Sequence, residues 1–337
     1  MRLQTARTLV VVLAASLFGC TAAPAVAEDA AGETITDEQR AFATLRLLEA
    51  AARRSPADIR AALEAGADVE GRDRNTGQSP LMLAAAFNPD PEAVKTLLRA
   101  GAEIDGRSDR AGSTALQWAA GANPNTEVLR ILLDAGADVN ARDDAGGTAL
   151  MAAGRNENPE IHVMLLDAGA EVNAKSRQGG TPFMAAAAAN RNPEVLAVLL
   201  EAGAEVNLRT VAGQTALAMA VVMNTNPEII ALLLASGAEV NIRDARGAPI
   251  LLRSILNENP QVVAMLLDAG AEVDLYHTGR GTTALMYAAQ HDNSEAIEIL
   301  LEARADPRFI DYEGKTALDY AGEGTESYAL LREALAE

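Results

Sequence analysis

Apolar and polar positions alternate along this chain in a pattern that reads as paired helices. In residues 181–213, Thr181-Pro182-Phe183-Met184 opens a run of alanines that ends at Asn190, and Asn192-Pro193-Glu194 opens a second run. The first run predicts a helix because threonine caps it, proline fits its first turn and strong helix formers fill it. The second does so because Asn is a good cap, Pro suits the first helical position and Glu sits at the positive end of the helix dipole. In it Val195, Val198 and Leu199 recur at i, i+3 and i+4, one apolar stripe. Leu199 and Leu200 are both expected to face the core. Gly203 is the expected left-handed stop, and Asn190 suits the same role after the first helix. Each unit is therefore turn, short helix, turn, longer helix.

The unit recurs along most of the chain. Its glycine returns at Gly66, Gly101, Gly136, Gly169, Gly203, Gly237 and Gly270, with Arg304 in its place once more, at spacings of 35, 35, 33, 34, 34, 33 and 34. A fixed period of this size marks a solenoid. The cap of the second helix reads Ser55, Asp90, Asn125, Asn158, Asn192, Asn226, Asn259 and Asn293, and proline follows six of the eight. Two residues before the cap stands Asn88, Asn123, Asn156, Asn190, Asn224 and Asn257, and then His291.

Gly-x-Thr-Pro/Ala-Leu-x-x-Ala-Ala followed by Val-x-x-Leu-Leu-x-x-Gly-Ala-x-Val-Asn resembles the ankyrin repeat. The resemblance covers residues 40–337 in about nine units including caps, and implies an all-α solenoid of stacked helix pairs with projecting hairpin loops. It also implies protein–protein recognition on the concave face. Two departures stand out. The turn between helices is usually one residue longer than the family's, and the family's histidine column reads Met82, Gln117, Met151, Met184, Ala218, Leu251, Met286 and Asp319.

Residues 1–27 read as a targeting segment: Arg2 and Arg7, an apolar run from Leu9 to Phe18, and Ala25-Val26-Ala27 as a small-x-small cleavage site. Leu17-Phe18-Gly19-Cys20 offers a rival reading, since it resembles the bacterial lipoprotein box, in which Cys20 is lipidated. Residues 28–39 are polar and read as a linker. Residues 40–73 form a degenerate first unit whose Arg46, Arg53, Arg54 and Arg60 suit a cap with one wet face, and the acidic second helix of the last unit suits the other cap. The protein is expected to be exported and periplasmic, with a lipid anchor to the envelope only if Cys20 is modified, and to be a monomer.

Composition narrows the partner. Loss of residues 1–27 removes two arginines and no acid, taking the net charge from −19 to −21. That argues against nucleic acid and anionic lipid surfaces. Gly279-Arg280-Gly281-Thr282-Thr283-Ala284 fits a dinucleotide fingerprint in outline but sits in a repeat loop, without the strand and long helix the fingerprint needs. His162, His277 and His291 have no metal-site spacing, the methionines fall in the buried first-helix column, and no nucleophile with an activating base can be assembled. No enzyme activity, cofactor or metal is expected.

Two features remain. A basic column, Arg72, Arg107, Arg142, Lys175, Arg209 and Arg243, breaks at Tyr276. It is either loop chemistry pairing with neighbouring acids or a rail for an acidic partner. In the seventh unit the packed Ala-Ala pair becomes Arg253-Ser254 and the capping Thr becomes Ala248, while Val222-Met223 and Ile255-Leu256 end adjacent first helices. Apolar neighbours on a wet face mark an interaction site. The protein-binding residues expected are therefore Met223, Arg253, Ile255, Leu256, Tyr276 and Tyr287, with Phe87 and Trp118 at like positions nearer the start. The function expected is a scaffold of the bacterial envelope that binds another protein. The alternative is a secreted effector that binds a protein of another cell.

Overall fold

A computed structural model describes residues 35–257 and 259–336. The targeting segment with Cys20, and the linker up to residue 34, lie outside the described residues. Among those residues the fold is all-helical, with eighteen α-helices and no strand. They are α1 (Asp37–Arg53), α2 (Pro56–Glu64), α3 (Pro80–Phe87), α4 (Pro91–Arg99), α5 (Ala115–Ala122), α6 (Thr126–Asp134), α7 (Ala149–Ala152), α8 (Pro159–Asp167) and α9 (Pro182–Ala189). There follow α10 (Pro193–Glu201), α11 (Ala216–Met223), α12 (Pro227–Ala235), α13 (Ile250–Ser254), α14 (Gln261–Asp268), α15 (Ala284–Gln290), α16 (Ser294–Glu302), α17 (Ala317–Tyr320) and α18 (Glu326–Ala336). Odd-numbered helices are the first of each pair and even-numbered helices the second. The first helix begins at Asp37, inside the stretch read as linker, because Thr36 and Gln39 close a capping box around its start.

The chain divides into two compact units between Asp144 and Ala145. In the first, α1, α3 and α5 pack in sequence, as do α2, α4 and α6. In the second, α9 packs on α7, and α11, α13, α15 and α17 each pack on the first helix before them; α8 to α18 stack likewise. Packed alanines let the first helices approach closely: Ala84, Ala85, Ala119, Ala120, Ala186, Ala187, Ala288 and Ala289 are all buried.

Local chemistry explains the repeat. Gly66, Gly101, Gly136, Gly169, Gly203, Gly237 and Gly270 have φ between +82° and +90°, and Arg304 follows them at +65°. All eight second-helix caps accept a backbone N–H within the first turn; Asn192, for example, accepts from Glu194 at 3.0 Å.

Asn190 is not a left-handed stop. Its φ is −86°, and its side chain is buried and bridges repeats. Nδ2 donates to the carbonyls of Gly154 and Asn156, while Oδ1 accepts from the N–H of Asn192. Asn224 repeats this on Ala187 and Asn190, and Asn257 reaches Val221. In the first unit Asn88 and Asn123 do the same. The extra turn residue thus positions an asparagine ladder that satisfies buried helix-end carbonyls. In the eighth repeat the turn is shorter. There Asp292 takes φ +51° and Asn293 donates to Ile255 instead.

Leu199 is fully buried, but Leu200 is only half-buried. The buried stripe of α10 is Val195, Leu196 and Leu199, with Leu196 in place of the expected Val198, which is half-buried.

Candidate protein-binding surface

The first helices end in two adjacent columns that face differently. Ile255 aligns with Ala86 and Ala188, all three buried, and is itself 3% exposed. The expectation that Ile255 lies on a wet face is therefore wrong: Ile255 is the C-cap of the short helix Ile250–Ser254 and is buried, whereas Val222 at the same position of the preceding repeat is 57% exposed. One residue on, Phe87, Met223 and Leu256 are 52%, 63% and 54% exposed. About 100° of helix rotation between successive residues separates the two columns. Met223 ends α11 and Leu256 lies just past the end of α13, the next first helix packed on it, and Val222 is exposed beside Met223. Phe87 presents the same column within the first unit.

One turn earlier in the first helices, a second column holds Trp118 in the first unit and Met219 and Tyr287 in the second, each half-buried. The indole Nε1 of Trp118 is buried without a hydrogen-bond partner. Tyr287 stacks edge-on against His291, ring centroids 4.5 Å apart. Trp118 and Tyr287 thus sit one turn from the column of Phe87 rather than in it.

Arg253 is held, not free. Its Nε and Nη2 lie 3.1 and 2.6 Å from Oδ2 of Asp244, at the base of the hairpin that precedes its helix. Burial pushes the Asp244 carboxyl up, but the N–H of Ala248 and the Arg253 guanidinium outweigh it and hold the group below its ordinary value. With Ala248 in place of the threonine, α13 has only five residues and no side-chain cap.

Tyr276 belongs to the hairpin row. Its ring lies 5.9 Å from Phe309 and 6.3 Å from Tyr312, with the Arg243 guanidinium 5.8 Å from its centroid. Its ring partners are thus in other hairpins. The exposed Ile310 and Tyr312 beside it carry no repeat-wide pattern that sequence alone would flag.

The basic column is engaged with neighbouring repeats. Arg107 meets Asp144 at 2.9 Å and the carbonyl of Arg142 at 2.5 Å, and Arg209 meets Glu239 at 2.9 Å. Arg72 reaches Glu70 and Asp109, and Arg243 donates to the carbonyl of Tyr276. These exposed pairs tie one hairpin to the next and contribute little each. Among the described residues no group of His, Cys, Asp and Glu could hold a metal ion, and no helix is long and apolar enough to cross a membrane. His162 lies in the core column of α8, aligned with Leu196 and Ile230.

Comparison with known proteins accords with this geometry. The family model described as ankyrin repeats (3 copies) matches residues 81–176, 150–244 and 251–334. The crystal structure of the human ASB11 ankyrin repeat domain is similar at 26% identity and a TM-score of 0.60, covering 66% of this chain and 98% of that one. No curated protein matches. With the model matched over most of the chain, and the turn, helix, turn and helix of each repeat present in the structure, this chain belongs to the ankyrin-repeat family.

Proposed function

We propose that this chain is a non-enzymatic scaffold of a bacterial envelope that holds another protein on its concave, first-helix face. Ankyrin repeats are protein–protein interaction modules, and nothing here points to catalysis. The observation that carries the finer reading is the outward presentation of Met223 and Leu256, with Val222, at the ends of adjacent first helices. Large exposed apolar side chains gathered on one face are costly unless something covers them. A photo-crosslinking residue at Met223 should yield an adduct with a discrete envelope protein, whereas the same residue at the exposed Glu201 on α10 should not. Equal adducts from both positions would remove the first-helix face as the binding site.

Export is part of the proposal and rests on Arg2, Arg7, the apolar run to Phe18 and the Ala25-Val26-Ala27 site. A mature N-terminus at Glu28 with no palmitate incorporated supports a periplasmic protein. Palmitate incorporated in the parent and lost in Cys20→Ser supports an envelope anchor instead. An uncleaved Met1 in the cell overturns export.

A further inference from the structure

Charge in the second unit is sorted by face. Four consecutive hairpins, 174–180, 208–214, 242–248 and 275–281, carry Lys175, Arg177, Arg209, Arg243, Arg246 and Arg280 but only one carboxylate, Asp244. The first helices that follow them, α9, α11, α13 and α15, contain no acid and one cation, Arg253, which is bonded to Asp244. Most acids lie elsewhere in each repeat, such as Glu194, Glu201 and Glu228 on second helices and Glu205 after them, while Glu239 pairs with Arg209. In a chain of net charge −19 this leaves one face apolar and cationic. Arg209 and Arg243 are engaged between repeats. Arg177, Arg246 and Arg280 are exposed, and among the described residues no acid forms an ion pair with their guanidiniums.

The apolar part of that face spans three repeats. Ala185 and Ala189 on α9 and Met219 and Met223 on α11 stand at i and i+4, and Leu256 continues the row just past the end of α13, where Leu252 is buried in the core. A helix that is apolar all round is normally covered on every side. Each hairpin runs straight into the cap of its first helix, as Gly213 into Thr215, so the arginine row lies at the helix N-termini, with Met219 about one turn in and Met223 and Leu256 at the far ends. Packed helices lie about 8–10 Å apart. A helix laid across them rises about 10.5 Å in seven residues, so one apolar side chain every seventh residue meets each repeat in turn.

We infer that this face binds an acidic amphipathic helix of the partner, its apolar side on Met219, Met223 and Leu256 and its carboxylates toward Arg177, Arg246 and Arg280. The inference rests on the interaction reading above and adds the partner's chemistry to it. Apolar anchors supply most of the affinity, and the unpaired guanidiniums select the sign of the partner. The chain's overall charge works the other way: at long range it repels an acidic ligand, so a preference for one has to come from this local face.

The test uses three synthetic amphipathic peptides with leucine at every seventh residue and Glu, Gln or Lys along the flanks. Each is titrated into the full chain and followed by fluorescence anisotropy. The Glu peptide is expected to bind at least about tenfold more tightly than the Lys peptide, and more weakly as salt rises. Arg177→Glu/Arg246→Glu/Arg280→Glu should reverse that order, and the milder Arg→Gln triple should abolish the difference if the first variant unfolds. Met223→Ser/Leu256→Ser should weaken all three peptides without reordering them. Equal binding by all three peptides, or preference for Lys, overturns the acidic partner while leaving the interaction scaffold standing. Binding by none overturns the inference as well, and crosslinking from Met223 to a native partner then judges the scaffold reading separately.

Discussion

Two titratable residues are at odds with their columns. His162 is fully buried among aliphatic equivalents; its Nδ1 lies 3.4 Å from the carbonyl of Asn158 and its Nε2 has no partner. Burial pushes its pKa below the ordinary 6.5, against the pull of the Asn158 and Ala153 carbonyls. The folded chain therefore holds a neutral imidazole, while the unfolded chain takes up a proton below about pH 6.5. The stability this gives is present above pH 6.5 and is lost as pH falls toward the folded value. Melting followed from pH 7.5 to 5 should show a decline that His162→Leu flattens, and an unchanged slope would contradict this account of the site. Asp274 is the other case. Asn173, Asn207 and Asn241 occupy its place in earlier repeats; each donates to the carbonyl of the next repeat's glycine and accepts an N–H two residues later. Asp274 can only accept, from Asp306, and burial followed by the Asp306 charge raises its pKa. Its charged form disfavours folding, so stability declines as pH rises through the raised value. Asp274→Asn should gain about 1 kcal/mol at neutral pH by restoring one hydrogen bond, with the gain vanishing in acid. A loss at neutral pH in a denaturant titration would refute it.

At the scale of elements, capping chemistry was legible because it is local. Every second-helix cap, the glycine stops and the prolines could be read from residues within one turn of each other. The asparagine ladder was not, because Asn190 acts on carbonyls 34 and 36 residues earlier. The column itself was visible, but its left-handed reading was a local explanation for a contact between repeats. Helix faces were legible to within one position, and that margin decided two cases. Ile255 and Leu256 differ by one step, and one is core and the other surface. Leu199 and Leu200 differ in the same way. Leu199→Ala should cost about 2–5 kcal/mol, clearly more than Leu200→Ala, and Glu201→Ala should change little. Denaturant midpoints for the three variants check the order, and equal costs at Leu199 and Leu200 would mean that the helix is rotated.

At the scale of the molecule, period, fold class and binding role were all readable, since repetition amplifies a weak pattern nine times over. The exposed column was only half readable. Met223, Leu256 and Phe87 are where an exposed column puts them, while Arg253 is tied to Asp244 and Tyr276 to the hairpin aromatics. The first is a contact within one repeat between hairpin and helix, and the second depends on how hairpins of successive repeats stack. The central claim is that the exposed apolar column is a docking surface rather than part of the core. It is tested most directly by measuring, on Met223→Ser/Leu256→Ser, the affinity for the crosslinked partner together with the thermal melt. The account predicts binding weakened by about 2 kcal/mol or more, with a melt within about 0.5 kcal/mol of the parent. A melt that drops sharply with binding merely following it, or an affinity left unchanged, would contradict it.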